Sequence, residues 1–216
     1  MLGAGSTAPG ARHLAFATWH PARSPFVNPE LDIYLEQIRY IRQDVAALVA
    51  NLGDDQFTWR PAPGRWSIGE CFEHLNLTAA AFVPGMDGAI ADARARNLRG
   101  DGPFVYPLLE RLFVTSNEPP PRRRFRAFKA YRPAPRLSRD AVMNAFSDWQ
   151  DRLVERIKTA DGFDLRRVRR RSPVLPLMKW SLGTMFALVL AHQRRHIWQA
   201  RQVRNEKGFP ERKLTE

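Results

Sequence analysis

Apolar residues recur at intervals of three and four along four stretches of this 216-residue chain, and no other sequence feature constrains the fold as strongly. Such spacing predicts amphipathic helices, because an α-helix brings residues three and four apart onto one face. The first helix is expected to begin at Asn28-Pro29-Glu30, where Asn28 suits the N-cap and Pro29 the first turn. Gly53 is a typical helix end. The apolar stripe of this first helix consists of Leu31, Leu35, Ile38, Ile41, Val45, Leu48 and Leu52.

Three further helices follow from the same pattern and from their caps. Ser67 and Glu70 have the spacing of a capping box, in which each side chain bonds the backbone near the other. Ser138 and Ser181 are suitable N-caps for the third and fourth helices. No alternation typical of strands and no internal repeat competes with these four helices. The second, third and fourth helices are predicted to span residues 67–97, 138–161 and 181–205.

The links between the helices predict how the chain is organised. Residues 98–137 contain seven of the 17 prolines, which exclude a continuous helix there. A link of this length indicates helices joined across a bundle and not by a tight hairpin. Residues 54–66 are expected to be a loop. We therefore predict an all-α four-helix bundle over residues 28–207. A crossover link is expected between the second predicted helix (67–97) and the third (138–161). A flexible N-terminal tail (1–27) and a C-terminal tail (208–216) are expected to flank it.

Cysteine content and hydropathy bound the cellular setting. Cys71 is the single cysteine, so an internal disulfide is excluded and a reducing compartment is favoured. The N-terminal residues lack the apolar core of a signal peptide. The longest apolar run, residues 182–191, is shorter than the roughly 20 residues that a membrane span requires. We expect a soluble, cytoplasmic protein with no membrane partner.

The formal net charge of +12 is local. Residues 120–136 hold seven basic side chains and no acidic one, and residues 165–171 hold five arginines and no acid. These segments could bind nucleic acid, with stacking by Phe125, Phe128 or Tyr131, or could bind an acidic small molecule or partner. They contain no known nucleic-acid module. Solvated loops near an anionic cosubstrate are the favoured interpretation.

Two histidines one helical turn apart carry the strongest chemical signal. His192 and His196 stack on one face of the fourth helix, within or beside its apolar side. Buried imidazole nitrogens need partners, and a divalent metal satisfies two at once. An isolated pair is nevertheless more often a solvated pair, or a core pair that bonds its neighbours. His74, on the flank of the second helix's apolar stripe, is expected to point inward and favours the metal interpretation. Three histidines leave a coordination position open, as in a catalytic site.

The chain resembles the DinB/YfiT-like superfamily of metalloenzymes at three motifs. The first runs from Trp59-Arg60-Pro61 through Gly64-Arg65-Trp66-Ser67-Ile68-Gly69-Glu70. The second is Glu73-His74-Leu75, and the third is His192 and His196 followed by Gln199. The resemblance covers about residues 30–205. It implies a four-helix bundle, His74, His192 and His196 as metal ligands, and, in members with an activity, transferase or isomerase reactions that use a low-molecular-weight thiol. The arginine-rich link and the N-terminal tail depart from the family pattern.

Several side chains near the histidines have two interpretations each. Glu70 could act as a catalytic general base or in the hydrogen-bonding shell around the metal ligands, but the capping box is the favoured interpretation. Gln199 could bind a ligand or the substrate, or could be a polar residue at the rim. Cys71 could be a fourth ligand, or more often a small buried apolar residue. Trp66, like Trp59, could wall a substrate pocket or simply pack the loop onto the helices.

These observations favour a metal-dependent enzyme. We expect one divalent ion, Zn²⁺ or Ni²⁺ before Fe²⁺ or Mn²⁺, that activates a thiol or water for transfer to, or hydrolysis of, a small molecule. The alternative is a non-catalytic metal- or anion-binding module that contacts nucleic acid through its arginines. The expected partners are a small-molecule substrate and a second copy of the chain in a homodimer.

Overall fold

The computed structural model describes residues 26–121, 126–134, 138–175 and 177–211. This part of the chain is mostly helical, with one short two-stranded antiparallel sheet. The all-α prediction is confirmed at this level. The helices are α1 (Pro29–Val49), α2 (Asp54–Thr58), α3 (Ile68–Ala95), α4 (Leu108–Ser116), α5 (Arg139–Thr159) and α6 (Leu182–Arg204); a 3₁₀ turn covers Lys129–Tyr131, and the strands are β1 (Arg169–Arg171) and β2 (Lys179–Ser181).

The caps explain where most of the long helices begin. Ser67 and Glu70 form the predicted capping box at α3, and the side chains of Ser138 and Ser181 accept backbone N–H bonds at α5 and α6. Asn28 occupies the N-cap of α1, but its side chain makes no capping bond there. Its Nδ2 instead donates to the carbonyl of Phe163 at 3.0 Å. Asn28 therefore joins the start of α1 to the segment after α5.

The four long helices bury their apolar faces against one another. The helix α3 packs against α5 and α6, and α1 packs against the same two helices. The buried side chains at these contacts include Ile38, Phe72, Met86, Leu153 and Phe186, each at most 2% exposed. Burial of a side chain of this size stabilises the fold by roughly 1.5–3 kcal/mol. This packing holds α3 and α6, the two helices that carry His74 and the pair His192 and His196, side by side.

The links contain structure that the sequence did not predict. The expected loop 54–66 begins with the helix α2, whose five residues are too few to show a periodicity. The long link 98–137 contains α4 and the 3₁₀ turn. The expectation of no strand is wrong in detail, because Arg169–Arg171 pair with Lys179–Ser181. Three-residue strands are too short to give a recognisable alternation.

Two arginines of the basic segment 165–171 are bound to other parts of the fold. Arg169 forms an ion pair with the buried Glu110 at 2.5 Å. Arg170 donates to the carbonyl of Gly88 and to Asp92 on α3. The solvated-loop interpretation is therefore wrong for Arg169 and Arg170, whereas Arg166 and Arg167 are exposed. Residues 122–125 and 135–137, which carry four of the seven basic side chains of segment 120–136, lie outside the described residues.

Most of the two predicted tails falls outside the described residues. Residues 1–25 of the predicted N-terminal tail, with His13 and His20, and residues 212–216 lie outside them. In the described ranges, no helix combines the length and hydropathy that crossing a bilayer would require.

Candidate metal centre

The three predicted histidines come together between α3 and α6. His74 lies in the second turn of α3, and His192 and His196 lie one turn apart near the middle of α6. One ring nitrogen from each lies within 4.8 Å of the others. In the described part of the chain, this is the group of His, Cys, Asp and Glu side chains that could hold a metal ion.

Two of the three separations between ring nitrogens are close to those of ligands around a single tetrahedral ion. Nε2 of His192 lies 3.3 Å from Nε2 of His74 and 3.1 Å from Nε2 of His196. Zinc lies about 2.0–2.1 Å from an imidazole nitrogen, so two tetrahedral ligands are about 3.3–3.4 Å apart. The nitrogen of His192 therefore has the separation from each of the other two nitrogens that a shared ion requires.

A backbone carbonyl sets the tautomer of His74. Nδ1 of His74 lies 2.7 Å from the carbonyl oxygen of Tyr131, in the 3₁₀ turn of the long link. A carbonyl only accepts, so Nδ1 carries the ring proton and donates it. In the neutral ring, Nε2 then presents a lone pair toward His192. This is the arrangement of a metal-ligating histidine, whose other nitrogen is bonded to a carbonyl or carboxylate.

The environment keeps all three rings neutral. Burial lowers the pKa of His74, against the opposing effect of the Tyr131 carbonyl. Burial, with the charges of His74 and Arg195, lowers the pKa of His192 to about 3. Burial lowers the pKa of His196 well below its usual value, and the charges of His192, His74 and Arg195 lower it further. Neutral imidazole is the form that binds metal.

Without an ion, the hydrogen-bonding needs of this cluster are not met. A neutral ring has one proton, so His192 Nε2 can donate to only one of its two neighbours. A lone pair then faces another without a proton between them. Nδ1 of His196 is also buried and makes no hydrogen bond. Unsatisfied buried polar groups are costly, and a cation among the three Nε2 atoms removes the conflict. The donor set and its geometry therefore fit a divalent ion.

Trp66 and Gln199 both interact with rings of the histidine cluster. The Trp66 ring centroid is 4.9 Å from that of His74 and 5.7 Å from that of His196, so the indole packs against both rings. The side chain of Gln199 interacts with His196 and opposes the lowering of its pKa, although it forms no well-aligned bond to Nδ1. Trp59 packs edge-on against Phe209 at 5.6 Å, which agrees with a packing role.

Glu70 and Cys71 are engaged in other interactions. The carboxylate of Glu70 accepts from the backbone N–H of Ser67 and from two guanidinium nitrogens of Arg60. This geometry agrees with the capping-box interpretation. Cys71 is 1% exposed, and burial followed by the charge of Glu70 raises the pKa of its thiol. A thiol with a raised pKa is a poor ligand and nucleophile, so the structure favours the buried apolar role.

Two residues that act on the histidine cluster were not predicted from the sequence. Tyr131 acts on His74 through its backbone carbonyl, which any residue could supply. Arg195 is half-buried beside the centre, and its charge lowers the pKa of both His192 and His196. Its Nη1 donates to the carbonyl of Ser116 at 3.3 Å. Position 195 differs in no obvious way from the other arginines until α6 is placed against its neighbours.

A helical domain with three converging histidines between two of its helices is the layout of a metal-binding helical protein. A family model described as the DinB superfamily matches residues 37–200. This chain belongs to the DinB superfamily. Searches of the curated proteins and of the solved structures give no match.

Proposed function

We propose that this chain is a divalent-metal-dependent enzyme, built as a four-helix bundle, whose ion is held by His74, His192 and His196. One observation carries the proposal: ring nitrogens of the three histidines converge within 4.8 Å, and Nε2 of His192 lies at ligand spacing from Nε2 of both other rings. Membership of the DinB superfamily supports the same conclusion.

The donor set narrows the choice of metal. Three neutral imidazoles suit Zn²⁺ or Ni²⁺ best and also accept Fe²⁺ or Mn²⁺, whereas Ca²⁺ and Mg²⁺ prefer oxygen ligands. Three protein ligands leave a position for a water or a substrate atom. A bound divalent ion supplies Lewis acidity, which lowers the pKa of a thiol or water so that it is a nucleophile at neutral pH.

The surrounding side chains would orient the site and select the substrate. Trp66 covers the rings of His74 and His196 and limits the access of bulk water to them. Gln199, whose side chain interacts with His196, would accept the Nδ1 proton of that ring and so orient it. Arg195 contributes positive charge beside the centre, which favours an anionic substrate or cosubstrate. We assign Glu70 to the cap of α3 and to Arg60, and not to proton transfer.

The reaction we favour is transfer of a low-molecular-weight thiol to a small electrophile, with hydrolysis as the second choice. The buried, neutral centre with one open position suits the activation of either nucleophile. The choice of thiol rests on the resemblance of this chain to family members with an activity. A single buried cysteine supports a reducing, cytoplasmic setting for such a reaction. The homodimer stays a prediction, which light scattering on the purified protein would check.

The test begins with elemental analysis of the purified chain, for which about one divalent ion per chain is expected. The metal-loaded and metal-depleted proteins are then incubated with 1-chloro-2,4-dinitrobenzene and, in turn, glutathione, cysteine or 2-mercaptoethanol. Loss of free thiol should depend on the metal and should disappear in His196→Ala. Equal rates with and without metal would contradict the enzymatic proposal. A salt-dependent shift of DNA, without any metal-dependent thiol loss, would favour the non-catalytic binding module.

A further inference from the structure

Tyr131 is held at both of its polar ends by parts of the chain that are distant in sequence. Its carbonyl accepts the Nδ1 proton of His74, 57 residues earlier, at 2.7 Å. Its phenolic hydroxyl donates to the carbonyl of Pro173, 42 residues later, at 3.1 Å. Pro173 lies in the loop between β1 and β2, which the strand pairing anchors to the rest of the fold.

The backbone around Tyr131 is also fixed locally. The N–H of Tyr131 donates to the carbonyl of Phe128, and that of Arg132 donates to the carbonyl of Lys129. Nε of Arg132 closes the turn by donating to the carbonyl of Ala127 at 3.1 Å. These bonds orient the turn internally, but by themselves they do not attach it to α3. The attachment comes from the two contacts of Tyr131 and from the packing of the turn on α3.

We propose that Tyr131 is a positioning residue for the metal centre, and that its hydroxyl, tied to Pro173, holds the turn so that its carbonyl fixes His74 with the proton on Nδ1. The proposal rests on the metal-binding function proposed above. A histidine that donates its second nitrogen to a fixed acceptor presents the other nitrogen in one orientation, ready to bind. Loss of the tether lets the turn move, so His74 gains ring orientations and the alternative tautomer. The long link thereby becomes part of the site.

The test uses Tyr131→Phe, which removes only the hydroxyl and leaves the ring and the backbone carbonyl. Titration of the metal-depleted protein with Co²⁺, followed by d–d absorption, should show an affinity about tenfold weaker than in the wild type, the lower end of losses for such supporting contacts. Tyr106→Phe is the matched control. It removes another buried hydroxyl, one that donates to Glu30 at 2.9 Å, and should leave the Co²⁺ affinity unchanged.

A second measurement does not depend on metal. In the metal-free protein, NMR of ¹⁵N-labelled histidine should show a His74 Nδ1–H that exchanges slowly with water, and at least tenfold faster in Tyr131→Phe but not in Tyr106→Phe. A folded Tyr131→Phe with wild-type exchange and wild-type Co²⁺ affinity would overturn the positioning role. If the wild type binds no Co²⁺, the proposed function fails, but the exchange experiment still decides whether Tyr131 holds His74.

Discussion

Two buried polar clusters lie along the helix α6, one at its first turn and one near its middle, and they differ in how their hydrogen bonds are satisfied. At the first turn, Oε2 of Glu110 accepts from the N–H and hydroxyl of Ser181 and from the hydroxyl of Thr184. Near the middle, the nitrogens of His74, His192 and His196 face one another with too few protons. A buried network whose members satisfy one another stabilises a fold, whereas nitrogen lone pairs that face one another suit a bound cation.

The first-turn cluster extends to a second carboxylate, Glu30, whose pKa is shifted in the opposite direction from that of Glu110. Tyr34 and Tyr106 donate to Glu30, and the Tyr34 hydroxyl oxygen also lies 3.2 Å from the carbonyl oxygen of Gly183. Burial raises the pKa of Glu30 despite these bonds. Burial would also raise the pKa of Glu110, but Ser181, Thr184 and Arg169 together hold it below its usual value. The first-turn cluster is therefore interpreted as structural, and its loss should affect stability and not metal content.

The largest expected effect is the loss of metal when any one of His74, His192 or His196 is changed to Ala. Two neutral imidazoles hold a divalent ion poorly, so metal per chain should fall at least tenfold in each variant. The helical circular dichroism should persist, because the core is apolar. Elemental analysis after identical purification makes the comparison, with His13→Ala and His20→Ala as controls. Full occupancy in His74→Ala would remove the third ligand.

The next largest effect is a loss of stability when Gly183, beside the first-turn cluster, is changed to Ala. A Cβ at Gly183 would lie 1.9 Å from Oη of Tyr106, so Gly183→Ala must displace Tyr106 from Glu30. We expect a loss of about 3 kcal/mol in the free energy of unfolding, measured with urea, and unchanged metal content. Gly85→Ala is the control. Its Cβ would meet Met185 at an ordinary 4.0 Å, and a helical Gly→Ala change should stabilise slightly. Loss of metal in Gly183→Ala would mean that the two clusters are coupled.

A smaller effect is expected for Glu110→Gln, with a definite dependence on pH. Replacing the carboxylate weakens its bonds to Ser181, Thr184 and Arg169, at a cost of about 2 kcal/mol at pH 7. The folded-state pKa lies below the usual 4.5, so the carboxylate stabilises the fold above pH 4.5. That stabilisation is lost as the pH falls through the folded-state pKa. The deficit of the variant in urea unfolding should therefore shrink below pH 4.5, and a deficit that grows there would contradict the assignment.

The smallest effect is expected for Cys71→Ala. The thiol is fully buried on α3 one turn before His74, and its raised pKa keeps it protonated. We expect a loss of about 1 kcal/mol from reduced packing and no change in metal content. Cobalt absorption offers a sensitive check, because a thiolate ligand adds an intense near-ultraviolet charge-transfer band. Disappearance of such a band in Cys71→Ala would make Cys71 a fourth ligand.

The sequence by itself determined the features that depend on near neighbours in the chain. The caps Ser67, Ser138 and Ser181 and the spacing of apolar residues predicted where the long helices begin, because capping and amphipathicity are local. The stacking of His192 and His196 followed from a separation of four residues. The motifs around His74 and the family resemblance added the third histidine.

Only the tertiary structure decided the features that depend on distant contacts. The carbonyl of Tyr131 on His74 joins positions 57 residues apart, and a carbonyl carries no information about the residue that owns it. The pairing of Arg169 with Glu110 is equally invisible in a run of arginines. The 3.3 Å between Nε2 of His74 and Nε2 of His192 depends on how α3 and α6 pack, across 118 residues of chain. A residue pattern predicts which groups could meet, but packing of the whole core fixes their separations to the few tenths of an ångström that metal binding requires.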